Sequence, residues 1–141
     1  MKKRTAFTLV ELVVVVLIIA LLAAVAAPRF LQTTAKARDS TAQHSLTVIR
    51  DAIELFVAEE GDFPTTPSTE LLPYLRDSSF PESPIGSPTN PAAITVVGTT
   101  GPLSADGTPS TGWKYSTADG SFIINSGDST VLEPAVSYDA W

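Results

Sequence analysis

Two regimes of hydrophobic patterning follow one another along the first sixty residues. From Phe7 to Ala27 the side chains are apolar apart from Thr8 and a lone carboxylate, Glu11. At about 1.5 Å per residue a helix over these 21 residues is about 31 Å long, enough to cross a bilayer core of about 30 Å. Beyond Pro28 the pattern turns amphipathic: Ala42, Leu46, Ile49, Ile53 and Phe56 recur at alternating spacings of four and three, the period of one helix face. Val48, Ala52 and Leu55 form a second stripe and widen the apolar arc to about 200°, well beyond the ~100° of an ordinary surface helix. Either a broad intramolecular core or contact with neighbouring molecules accounts for that width. The pattern predicts a single helix from Phe7 to about Glu60, stopped by Gly61 with Pro64 just beyond. Pro28 lies inside it, removes a backbone donor and predicts a kink.

The remainder reads differently. Residues 77–112 are rich in Pro, Gly, Ser and Thr and predict a long wrapped loop with one short strand at Ile94–Val97. Trp113–Ser116 and Ser121–Ile124, joined by Thr117-Ala118-Asp119-Gly120, predict a hairpin whose Asp-Gly pair makes the turn. A last strand is expected from Val131 to Tyr138. The class is α+β, a long helix packed on a small antiparallel sheet, divided into an apolar segment (7–28), an amphipathic helical half (29–60) and a loop and sheet region (61–141). About 80 residues after Gly61 are few for an independent core, so the helix must supply part of it.

A charge inside hydrocarbon costs about 2.5–3.5 kcal/mol on insertion scales, so Glu11 asks for a partner. Lys2, Lys3 and Arg4 precede the apolar run, and Ala6-Phe7-Thr8-Leu9-Val10-Glu11-Leu12 resembles the cleavage and methylation signature of type IV prepilins and the pseudopilins of type II secretion. The resemblance implies a leader of residues 1–6, a cut between Ala6 and Phe7 by a dedicated peptidase that also methylates the Phe7 amine, and Glu11 as the fifth mature residue. Ala6 stands where the family usually has glycine. The resemblance also implies that the helix is an assembly stem, that Glu11 and Pro28 act in filament packing, and that the fold is pilin-like. The expected partners are other copies of the chain, the prepilin peptidase and methyltransferase, an inner-membrane assembly platform and, before assembly, membrane lipid. The basic leader predicts a cytoplasmic N-terminus in a single-pass inner-membrane precursor, with a periplasmic or extracellular filament afterwards. Weaker resemblances lie further on: Phe63-Pro64-Thr65-Thr66 is similar to the turn after the long helix of major pseudopilins, Glu70–Leu75 to the short helical segment that follows, and Gly112-Trp113-Lys114-Tyr115 to their C-terminal hairpin.

Two other readings stay open at this point. A secretory signal peptide shares the basic start, the apolar core and the Ala24-Val25-Ala26 triplet, although this core is longer than the usual ~7–15 residues and carries Glu11. A monomeric membrane-anchored binding domain needs neither Glu11 nor a peptidase site.

Formal charge is −6, and losing Lys2, Lys3 and Arg4 takes it to about −9, which argues against nucleic acid as a partner. There is no cysteine, so the C-terminal region has no disulfide to staple it. Sheet pairing, proline-stiffened loops or a bound cation must hold it. No cofactor is required by any motif. Calcium is the one candidate, through Ser104, Asp106, Asp119 and Asp128 in C-terminal loops, since calcium takes oxygen ligands and major pseudopilins carry such a site in the corresponding region. His44 sits among Gln43, Asp51 and Glu54 on the polar helix face, and no nucleophile elbow or phosphate loop is present, so an enzyme is not expected.

Overall fold

The computed structural model describes residues 7–86 and 88–141. The chain is α+β: a long helix followed by short helical turns and a three-stranded sheet. It divides into two compact units, one ending at Ala35 and one spanning Lys36–Trp141.

Helix α1 runs Leu9–Glu60 through Pro28. The proline has no N–H for the Ala24 carbonyl, yet the helical pattern on both sides continues across it. Thr33 and Thr34 return their hydroxyls to the carbonyls of Arg29 and Phe30, each at 3.0 Å, which reconciles polar side chains with helical backbone just past the proline. Gly61 ends the helix with φ +85 and its N–H on the Val57 carbonyl, as its position predicts.

Within the second unit the first apolar stripe forms the core. Ala42, Leu46, Ile49 and Ile53 are buried and Phe56 packs against them, together with Trp113, Tyr115, Phe122 and Ile124 of the sheet. The second stripe splits. Ala52 is buried and Val48 half-buried, whereas Leu55 stays 54% exposed, so the wide arc is mostly a broad internal core. Asp39, Ala42, Leu46, Ile49 and Ile53 share this buried face, and the acid among them is 1% exposed.

After α1, Pro64 and Pro67 are fully buried and Phe63 lies over Gly120, where a Cβ would come within 2.3 Å of the ring. The helical segment expected at Glu70–Leu75 starts earlier and breaks up: α2 is Pro67–Glu70, followed by 3-10 turns at Leu72–Tyr74 and Arg76–Ser78. Pro73 suits the start of a tight turn better than a continued helix.

The strands are β1 (Asn90–Val97), β2 (Thr111–Ser116) and β3 (Phe122–Ile124) in the order β1-β2-β3. β2 and β3 pair antiparallel through the expected hairpin, with Gly120 at φ +72 in its turn. The sheet is not wholly antiparallel, because β1 pairs parallel to β2. The Gly- and Pro-rich segment 98–110 explains the correction: it is long enough to carry the chain back to the start of the sheet, where a short turn would have folded it into a hairpin. β1 also begins four residues earlier than expected, with a register irregularity between Asn90 and Ile94.

The strand expected at Val131–Tyr138 does not form. A single bridge joins Ser129 and Ser137, and the backbone between them turns. Thr130 Oγ1 donates to the Glu133 carbonyl and the Val136 N–H donates to the same residue, while Pro134 has no donor for a ladder. The N–H groups of Val131 and Leu132, which a strand would have paired, donate to the Asp39 carboxylate at 2.7 and 2.9 Å.

Candidate functional site

The stem starts with a reciprocal cap. Thr8 precedes the first helical residue, its carbonyl accepts the Leu12 N–H, and its Oγ1 accepts the Glu11 N–H at 3.2 Å. Glu11 Oε2 in return accepts the Thr8 N–H and the Thr8 hydroxyl, each at 3.0 Å. This is a capping box, in which a Thr and a Glu three residues on satisfy one another's orphan donors at the helix start. Its Thr-x-x-Glu spacing stands in the sequence, and it adds a capping role to the assembly role that the resemblance implies for Glu11. Two consequences follow. The carboxylate is turned back toward the start of the helix, where a new N-terminus at Phe7 would lie. Its other oxygen, Oε1, holds no hydrogen bond among the described residues.

Around this charge the stem is bare. Every large hydrophobic residue from Phe7 to Val25 is between 46% and 77% exposed, and α1 is long and apolar enough to cross a membrane. A continuous apolar surface of this kind marks a lipid or protein contact. Ala6 and the rest of the expected leader lie outside the described residues. Phe7 itself is exposed and just outside the helix.

The structure separates the four candidate calcium ligands. Ser104 and Asp106 meet at the ammonium of Lys114, which donates to the Ser104 carbonyl at 2.9 Å and to Asp106 Oδ1 at 2.7 Å. Asp106 Oδ2 accepts the Asn125 amide. Lys114 first, and Asn125 next, hold the Asp106 carboxyl below its ordinary value. Asp119 is elsewhere, at the hairpin turn, accepting the N–H groups of Gly101 and Ser121, bonds that lower its pKa to about 2. Asp128 accepts the Ser126 hydroxyl and, with Asp106 and Asp139, lines a cavity of about 670 Å³. Asp139, which the sequence reading did not single out, is already engaged by the Ala105 N–H and the Ser137 hydroxyl. Among the described residues no group of three or more acidic, His or Cys side chains is arranged to hold a metal. The three named aspartates are therefore not gathered into one such group.

What holds the cysteine-free C-terminal region is a pair of charges on α1. Asp39 accepts the two backbone N–H groups of Val131 and Leu132 and the Tyr138 hydroxyl. Burial, and then this bond, push the Tyr138 phenol pKa upward. Arg50, half-buried, donates through Nη1 to the Trp141 carbonyl at 2.8 Å and through Nη2 and Nε to the Phe122 carbonyl. Eleven residues apart, the two side chains clamp both ends of the segment 131–141. A cleft of about 960 Å³ beside Arg50 is lined by Glu54, Val57, Phe63 and Leu103, and His44 is exposed outside it.

Residues 1–27 match the family model described as the prokaryotic N-terminal methylation motif, the signature of type IV pilins and pseudopilins. Neither the curated proteins nor the solved structures contain a match to the chain.

Proposed function

We propose that the chain is a structural subunit of a type IV pilus-like or pseudopilus filament, cut between Ala6 and Phe7, methylated on the Phe7 amine and polymerised through its apolar stem. The observation that carries this reading is the position of Glu11: a carboxylate in a bare apolar helix, inside a segment matching the methylation motif, capping the helix start through Thr8. The precursor waits as a membrane-anchored protein, since the stem has the length and composition to span a bilayer. In the filament the stems of neighbouring copies replace lipid around one another. The Glu11 carboxylate of one subunit pairs with the Phe7 ammonium of the next, and a displaced subunit leaves both charges buried and unpaired, at a cost of about 3–5 kcal/mol when one partner is lost. The capping box prepares this pairing by turning the carboxylate toward the helix start before any partner arrives. The role is structural and not catalytic.

Determining the N-terminus of the protein isolated from membranes tests the reading. The expected product starts at N-methyl-Phe7. Ala6→Gly is processed at least as well, because the peptidase seats a small residue before the cut, while Ala6→Leu accumulates as precursor. A chain still starting at Met1, or one starting at or beyond Ala27, contradicts the assignment in favour of a plain anchor or a secreted domain.

A further inference from the structure

Segment 98–110, which carries the chain from β1 back to β2, has little regular structure of its own. Side chains from other segments hold it. Ser116 takes the Thr99 carbonyl, Asp119 the Gly101 N–H, Asp139 the Ala105 N–H and Asn125 the Asp106 N–H. At its centre lies Lys114, on β2 between the buried Trp113 and Tyr115. Its side chain is only 13% exposed, and its ammonium bridges the Ser104 carbonyl and the Asp106 carboxylate.

These are two of the oxygens that the sequence nominates for calcium. We propose that the ammonium of Lys114 is the resident cation of this loop, standing where a calcium ion was expected, so that the unit Lys36–Trp141 keeps its fold without a divalent metal. The geometry supports the substitution in three ways. A calcium ion needs six to eight oxygens at about 2.3–2.6 Å, and the Lys114 ammonium already holds a carbonyl and a carboxylate oxygen at hydrogen-bond length. One positive charge on one carboxylate is locally balanced, whereas a dication beside the ammonium would repel it and require its departure. Asp106 is further committed through its second oxygen to Asn125, whose own carbonyl oxygen accepts the Asp106 N–H, so the carboxylate is not free to turn. The loop thus keeps one conformation whatever the calcium level around it.

The test is thermal unfolding of the detergent-solubilised full chain, followed by fluorescence of Trp113 and Trp141. A ligand that binds only the native state raises Tm by mass action, so wild type is expected to melt within about 1 °C of itself in millimolar calcium and in excess chelator. Lys114→Met is expected to lower Tm by about 4–8 °C. The double variant Lys114→Met with Asp106→Asn is expected to lose less than the two single variants added together, because no carboxylate is left without its cation. A calcium-dependent rise of more than about 3 °C in wild type overturns the proposal. So does a Lys114→Met protein that melts with wild type, or a strictly additive double variant.

Discussion

The two parts of α1 handle charge in opposite ways. In the stem a single acid, Glu11, caps its own helix through Thr8 and makes no other side-chain hydrogen bond among the described residues, while the apolar side chains around it are exposed. In the unit Lys36–Trp141, Asp39 and Arg50 reach across to the C-terminal segment and are consumed internally, and the apolar face between them is buried. The same helical scaffold therefore serves two ends. Where a charge is used within the chain, its removal should cost stability. Where it is left at the edge of a bare apolar surface, its removal should leave the fold alone and cost association.

The largest stability effect is expected where backbone meets backbone. A Cβ on Gly112 would stand 2.0 Å from the Pro91 carbonyl oxygen and 2.7 Å from Ser83 Cβ, and neither neighbour is the end of a flexible side chain. Gly112→Ala should destabilise the unit Lys36–Trp141 by about 3 kcal/mol, the upper part of the overpacking range, measured by denaturant unfolding in detergent. The stem's helix, read by circular dichroism, should survive that transition.

Next comes the clamp. Asp39→Ala leaves the Tyr138 hydroxyl and two backbone N–H groups without their acceptor, although Val131 and Leu132 are near enough to the surface for water to take part of the load. A loss of about 2–3 kcal/mol is expected, with faster proteolysis of segment 128–141. If Asp39→Ala unfolds with wild type, the C-terminal region is held by something other than this charge.

A smaller, graded effect is expected in alkali. All three tyrosines lie in the unit Lys36–Trp141, and each phenol is shifted upward. The Glu59 carboxylate raises Tyr74 to about 12, burial raises Tyr115 to about 12, and burial with Asp39 raises Tyr138. A folded pKa above the unfolded one means that the native state holds protons that the unfolded state releases. The stability linked to these groups is complete below about pH 10 and is lost as pH rises through about 12. Tyrosinate absorbance should therefore lag the free-tyrosine titration and then rise together with the loss of tryptophan burial, while the tyrosine-free stem keeps its helix.

Local patterns carried much of this architecture. The long helix, its glycine stop, the buried stripe and the Asp-Gly hairpin all follow from period and turn chemistry, and the structure places them within a few residues of expectation. The parallel pairing of β1 was hidden because strand direction depends on where a thirteen-residue connection leads, which no local pattern states. The failed strand at Val131–Tyr138 has β-favouring residues, but its backbone donors were claimed by Asp39, ninety-two positions earlier. A signal for that existed. Asp39 lies three residues before Ala42, in phase with the apolar stripe, and an acid in phase with a core face calls for buried donors. The Thr8 and Glu11 capping box was legible from spacing alone. Lys114, one residue after a core tryptophan, gave no such sign, because its two partners come from a loop whose path only the tertiary structure sets.

The contrast between a charge used inside the fold and one proposed to act in assembly rests on Glu11, and glutamine is the substitution that separates the capping from the proposed pairing. Gln at this position keeps the reciprocal cap with Thr8 but carries no charge. The decisive measurement compares filaments sheared or imaged from cells expressing wild type, Glu11→Gln and Glu11→Ala, alongside the Tm of each protein in detergent. Charge pairing across subunits predicts that both variants are inserted, cut before Phe7 and melt in the unit Lys36–Trp141 like wild type, yet both lose filaments. Wild-type filament abundance in Glu11→Gln, with loss only in Glu11→Ala, would show that Glu11 acts by capping its own helix and would contradict the pairing.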